Sequence, residues 1–214
     1  MDSRTKGAPV DEWAHLSAER LTGWANHVPP RGRMPDHELM AEGRFRICFV
    51  CSGNICRSPM AEVVMRALVR DAGLDPMIEV DSAGTGDWHI GEQADERALA
   101  VLAEGGFDGT THRARQFDPR WFLRRELVVA LDRSHERTLR SWAASDLERG
   151  RVRLLRGFDA ALGARPAPSD LDVLDPYYDG LPTFRTVLDV ITTSCAGLLQ
   201  TVRADLHGRP VRAV

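Results

Sequence analysis

The stretch Arg46-Ile47-Cys48-Phe49-Val50-Cys51-Ser52-Gly53-Asn54-Ile55-Cys56-Arg57-Ser58-Pro59 carries an apolar run into a short polar loop and then into a Pro-started helix. A strand ending at Cys51 and a helix beginning near Ser58 leave the intervening backbone N–H groups free to converge on one point. The helix start adds partial positive charge there, so the loop is expected to cradle an oxyanion. Gly53 and Asn54 are residue types that tolerate left-handed dihedrals, which a tight loop turning successive amides inward requires. Arg57 supplies a planar fork of donors suited to two oxyanion oxygens and stays charged in any environment. The same positive field favours a Cys51 thiolate, moving a pKa of ~8.5 toward the ~3.5–7.5 range of activated cysteines.

A Cys and an Arg six positions apart prove little by themselves in a chain with 27 arginines and one lysine, Lys6. Context makes the case. Of Cys48, Cys51, Cys56 and Cys195, only Cys51 has Arg at that spacing, ends an apolar β-branched run and precedes a Pro-started helix. Four cysteines in 214 residues are too few for a disulfide framework, and there is no secretory apolar region at the N-terminus, so a reducing cytoplasm is the expected compartment. A net charge of −3 does not suggest nucleic-acid binding. No apolar run approaches the ~20 residues that a membrane span needs. One soluble domain with a single core, monomeric by default, is the expectation.

Residues 1–43 differ in character from the rest of the chain: they are polar, with Pro29-Pro30-Arg31-Gly32-Arg33 as a break. Trp13, Leu16, Leu21 and Trp24 fit one side of a short amphipathic helix; a loosely ordered extension, or a true start at Met34 or Met40, are the alternatives. From Arg46 onward the pattern alternates in the βα manner. Strands are predicted over 46–51, 78–82, 127–131 and 152–154, and helices over 59–72, 95–104, 134–145 and 182–206. Met60, Val63, Val64, Ala67 and Leu68 are expected inward in the first helix, and Ser134 is expected to cap the third. In the last, Phe184, Val187, Leu188, Ile191, Cys195, Leu198, Leu199, Val202 and Leu206 recur at spacings of three and four, a strong apolar stripe in which Cys195 is core packing. The fold class is therefore α/β: a four-stranded parallel sheet flanked by helices on both faces in three layers, with ligand bound at the carboxyl ends of the strands.

The run from Val50 to Glu62 resembles the signature of the low-molecular-weight protein tyrosine phosphatases of bacterial type. The resemblance continues, in the family's order, through Asp81-Ser82-Ala83-Gly84-Thr85-Gly86-Asp87-Trp88-His89, His112-Arg113-Ala114-Arg115, Ala130-Leu131-Asp132-Arg133-Ser134-His135 and Asp175-Pro176-Tyr177-Tyr178. It covers roughly residues 45–206, with the catalytic domain taken as 44–214 and the first 43 residues outside it. What it implies is a protein-tyrosine phosphatase acting on tyrosine-phosphorylated proteins in two steps, with no metal or other cofactor.

Phosphoryl transfer to sulfur needs a proton for the leaving oxygen. Asp175, in a turn-forming loop and restricted to extended conformations by Pro176, is the candidate acid, and Asp172 and Asp179 are neighbouring carboxylates that spacing alone does not separate from it. The resemblance assigns Asp175 that role. It also implies that Cys51 is the nucleophile, that Arg57 and the loop from Ser52 through Gly53, Asn54, Ile55 and Cys56 to Ser58 hold the phosphoryl oxygens, and that Asn54, Ser82 and His112 brace the loop. A surface position for His112 is the plainer alternative. Trp88, Tyr177 and Tyr178 would form a slot deep enough for a phosphotyrosine ring, although each aromatic alone is as readily packing. Ile55 bears on substrate, because relatives that hydrolyse phosphoarginine tend to carry Thr there.

Cys56 invites a reversible disulfide with Cys51, which predicts that peroxide inactivation becomes irreversible in Cys56→Ser. A thiol-dependent arsenate reductase shares the fold but relays oxidation through later cysteines, and Cys195 alone follows Cys56. An inactive phosphopeptide-binding module would be expected to have lost Cys51, Arg57 or Asp175, and all three are present.

Overall fold

Residues 43–207 are described by the computed structural model; the expected N-terminal helix around 13–24 and the alternative starts at Met34 and Met40 lie outside them. Strand β1 (Phe45–Cys51) sits between β2 (Ile78–Gly84) and β3 (Leu127–Ala130), and β4 (Val152–Leu154) extends the sheet beyond β3. The order is β2-β1-β3-β4 and every pairing is parallel. Parallel neighbours require crossovers, so helices must cover both faces and the central strand is buried on both sides. The sequence of β1 meets that demand. Phe45, Ile47, Phe49 and Cys51 enter one core, while Cys48 and Val50 enter the other.

Helix α1 (Arg57–Asp71), α2 (Glu96–Glu104) and α5 (Leu181–His207) lie with the first core, whereas α3 (Arg133–Trp142) packs on β3 and β4 beside the second. The apolar stripe of α5 is buried from Phe184 to Val202, with Leu206 partly covered at its end. Ser194 is buried within the same helix and returns its hydroxyl to the Val190 carbonyl at 2.8 Å. In α1 the buried face is wider than the sequence pattern indicates. Ala61, Met65 and Val69 are buried along with Met60, Val64 and Ala67, while Val63 and Leu68 are only half-buried, because α1 is pressed between the sheet and α5.

Two further boundaries shift for local reasons. Helix α1 begins at Arg57, with Cys56 as its N-cap, rather than at Pro59. Asp132, not Ser134, caps α3: its carboxylate accepts from the Ser134 and His135 amides at 2.8 and 2.9 Å, as a short acidic side chain at an N-cap does. That helix stops at Trp142, and Ser145 caps a separate short helix, α4 (Asp146–Arg151). Chain leaves β1 toward β2 and β3 toward β4, in opposite directions across the sheet. The crevice between the carboxyl ends of β1 and β3 is the switch point, and Cys51 and Asp132 stand at its two lips.

Candidate active site

Cys51 ends β1 with its carbonyl and that of Ser52 accepting from the Thr85 and Gly86 amides at 2.8 and 2.9 Å, so the loop leaves the sheet tied to the chain beyond β2. Asn54 then takes φ 58°, a left-handed conformation that only Asn, Asp and Gly adopt readily. Helix α1 starts immediately afterwards with no side chain capping it and no acidic residue in its first turn. Its positive end is therefore left for the loop and for whatever the loop holds.

The loop is stiffened from behind by a polar network within the apolar core. Cys51 Sγ and Ser58 Oγ are 3.0 Å apart. Asn54 Nδ2 donates to Ser58 Oγ at 2.9 Å and to Ser82 Oγ at 2.8 Å, while the Arg115 amide donates to Asn54 Oδ1 at 3.0 Å. Ser82 in turn donates to Glu62 Oε2 at 2.5 Å. His112 is turned inward, its Nε2 2.8 Å from the Asn54 carbonyl and its Nδ1 3.7 Å from Glu62. Burial acts to raise the Glu62 pKa, but the nearby His112 imidazole, the charge of Arg66 and the hydrogen bond from Ser82 outweigh it, so the carboxyl titrates below its ordinary range. A satisfied buried network of this kind fixes one loop geometry.

Arg57 is almost wholly buried and held by two carboxylates. Its Nη1 donates to Asp132 at 2.8 Å and to the Val173 carbonyl at 3.1 Å, and its Nη2 donates to Asp175 at 2.5 Å. The two acids differ in freedom: the Asp132 side chain is 18% exposed and locked by the α3 amides, whereas that of Asp175 is 49% exposed on its loop. Of the two, Asp175 is the carboxylate that an oxyanion could displace from Nη2, with Asp132 left to hold the guanidinium in place. Asp172 is engaged elsewhere, by Arg133 at 2.8 Å, and Asp179 offers its backbone carbonyl to Arg97 at 2.8 Å.

Cys51, Ser52, Gly53, Ile55, Cys56, Arg57 and Asp175 line one cleft of about 340 Å³, rimmed by Trp88, His89, Tyr177 and Tyr178. Trp88 and Tyr178 are 70% and 96% exposed, large apolar surfaces held out at the mouth. Asn54 and Ser58 lie beneath the loop, fully buried. Cys56 is buried as a free thiol whose pKa is pushed well up, by burial first and then by the neighbouring charges of Asp95 and Cys51.

Several residues at the site escape sequence reading. Asp132 and His135 fall in a stretch that resembles the family's, but the sequence assigns neither residue a role; Asp132 nonetheless anchors Arg57, and His135 Nε2 lies 2.9 Å from Ser52 Oγ. Burial lowers the His135 pKa to about 4, against the opposing pull of Asp132, whose carboxylate is 3.0 Å from Nδ1. The missed signal is Asp132 itself, an N-cap acid two residues past a buried strand at the sheet's switch point. His89 is another omission: a Cβ at Gly53 would come within 2.7 Å of its ring, so a side chain at that loop position requires His89 to shift.

A parallel α/β sheet with a cysteine-floored oxyanion loop at its switch point defines a class of phosphate-loop proteins. The chain belongs to the low molecular weight phosphotyrosine protein phosphatase family, whose sequence profile matches residues 46–208. It is 53% identical over 165 residues to a low molecular weight protein-tyrosine-phosphatase of Streptomyces coelicolor, covering 77% of this chain and 98% of that protein. Low molecular weight protein-tyrosine phosphatase A of Mycobacterium tuberculosis is 47% identical over 152 residues, covering 71% of this chain and 88% of the relative. Among solved structures, YfkJ of Bacillus subtilis superposes with a TM-score of 0.68 at 33% identity, covering 76% of this chain and 96% of that one. A protein tyrosine phosphatase of Entamoeba histolytica gives 0.69 at 28% identity, covering 76% and 99%.

Proposed function

We propose that this chain is a protein-tyrosine phosphatase that hydrolyses phosphotyrosine in protein substrates through a phosphocysteine at Cys51. The observation that carries the reading is the convergence of Cys51, Arg57 and Asp175 on one cleft with an aromatic rim. In the first step the Cys51 sulfur attacks phosphorus and the tyrosine oxygen leaves with a proton from Asp175. Arg57 and the uncapped start of α1 hold the phosphoryl oxygens as charge shifts between them. In the second step Asp175 takes a proton from water as it attacks the phosphocysteine. The Ser58 hydroxyl, 3.0 Å from the sulfur, stabilises the departing thiolate.

Depth supports an aryl substrate. Cys51 is 3% exposed at the cleft floor while Trp88 and Tyr178 stand at its mouth, a reach that a phosphotyrosine ring spans and a phosphoserine does not. Ile55 in the wall offers no polar group for a guanidinium nitrogen. A relay of oxidation through a later cysteine, as in arsenate reduction, finds no support, since Cys195, which alone follows Cys56, is fully buried in α5 with its Sγ against the Ala61 carbonyl at 3.8 Å.

Rapid mixing of the enzyme with an aryl phosphate in chelator tests this. A burst of phenol release ahead of phosphate in the wild type, absent in Cys51→Ser, is expected; a wild type that turns over neither the aryl phosphate nor a phosphotyrosine peptide overturns it.

A further inference from the structure

A second cavity, of about 570 Å³, shares no lining residue with the cleft that holds Cys51 and is lined in part by Glu62, Ser82 and His112, which brace the phosphate loop. Its walls carry four guanidinium groups, from Arg66, Arg70, Arg113 and Arg115, against two carboxylates, Glu62 and Asp108. Both carboxylates are already occupied. Glu62 accepts from Arg66 at 2.8 Å and from Ser82, and Asp108 accepts from the amide and hydroxyl of Thr110 at 2.9 and 2.6 Å. Two of the arginines are committed as well, Arg66 to Glu62 and to the Val80 carbonyl at 3.0 Å, and Arg115 to Asp81 at 2.8 Å and the Ser82 carbonyl at 2.9 Å, which leaves Arg70 and Arg113 as the less engaged pair. Arg70 makes one long pair, 3.6 Å to Asp71, with 69% of its side chain exposed, and Arg113 directs Nη1 to the Thr110 and His112 carbonyls. Phe107, Val63 and Ala67 add apolar surface to the lining, Val63 and Ala67 on the same face of α1 as Arg66 and Arg70.

We infer that this cavity is a second anion site, taking a small phosphate- or phosphonate-class dianion with a compact aryl or alkyl body, and that its occupancy is felt at the phosphate loop. The head group pairs with Arg70 and Arg113 and the body lies against Phe107. The coupling is built into the floor, where Glu62, Ser82 and His112 line the cavity and brace the loop at once. From Glu62 the hydrogen bonds run through Ser82 and Asn54 to Ser58 and Cys51. A dianion that draws Arg66 from Glu62 changes the charge balance on that chain without entering the cleft. Such a ligand alters kcat without competing with substrate, unlike an anion held at Arg57.

Phenylphosphonate, which has no ester bond to hydrolyse, is the probe. Calorimetric titration of the full chain is expected to give two sites. Arg70→Ala/Arg113→Ala removes one, weakening it by about tenfold or more, and leaves basal turnover unchanged. Arg57→Ala removes the other, so failure of the phosphatase reading and failure of the second site give different patterns. The His112 imidazole resonances are expected to move as the Arg70/Arg113 site fills in Arg57→Ala. At saturating substrate, phenylphosphonate is expected to leave a change in kcat that the double arginine variant lacks. One site per chain, lost with Arg57 and indifferent to Arg70 and Arg113, overturns the site. Two sites with an unmoved His112 signal and purely competitive inhibition overturn the coupling.

Discussion

At the residue scale the balance around Arg57 sets what the site can do. One guanidinium faces two carboxylates, and only the exposed one, Asp175, is free to give way to an oxyanion. Asp132→Asn keeps the shape but removes the charge that anchors Arg57 and faces His135. A charged hydrogen bond of this kind contributes about 1.5–3 kcal/mol, so kcat/KM for an aryl phosphate is expected to fall roughly ten- to a hundredfold. Full activity in Asp132→Asn would show that Asp175 and the Val173 carbonyl hold Arg57 unaided. The loop's own residues were legible because they are consecutive: strand end, Gly, Asn, Arg and helix start lie within one short run. Asp132, His135 and Glu62 were not, because isolated polar residues far apart in sequence show no period, and only the parallel sheet brings them to one point.

At the element scale the strands and the last helix were legible from their apolar periods, and the boundaries were lost where capping competes with period. Asp132 wins the α3 cap over Ser134 because it directly precedes the first helical residue, Arg133, with two amides in reach. Packing of α5 depends on a glycine that no period reveals. A Cβ at Gly197 would come within 1.9 Å of the Phe158 carbonyl oxygen, in the turn just after β4. Alanine there favours the helix by about 1 kcal/mol, but forcing the turn aside costs roughly 1–3 kcal/mol and more. Gly197→Ala is expected to lower the urea midpoint, a net loss of up to about 2 kcal/mol, with kcat/KM unchanged. A midpoint equal to the wild type's would mean that the turn yields freely.

At the scale of the whole molecule the buried ionisable groups make stability fall toward acid. His135 has its pKa lowered to about 4 in the folded chain, against about 6.5 in an unfolded one, so between those values the unfolded state binds more protons. Stability therefore declines as pH drops from about 6.5 to 4, by something on the order of 2–3 kcal/mol from this group. The lowered carboxyls of Glu62 and Asp132 add a further loss below about pH 4, as protons reach their folded-state range. Urea midpoints measured across this span should fall first in the histidine window, and His135→Asn should flatten that part while keeping the lower one. A wild-type midpoint constant from pH 6.5 to 4 would sink the assignment to His135. The sheet carries a different consequence, for the order of events during folding. No two of its strands pair as a hairpin: β1 meets β3 only after α1, β2 and α2 have been threaded through, and Arg57 meets Asp132 and Asp175 only after that. The anion cradle thus belongs to the late, topologically demanding part of the search. Inorganic phosphate, binding the finished loop and nothing earlier, should act as a brake on unfolding while leaving the refolding rate untouched. Stopped-flow chevrons with and without phosphate would show it, and a refolding limb accelerated by phosphate would mean that the cradle assembles before the sheet closes.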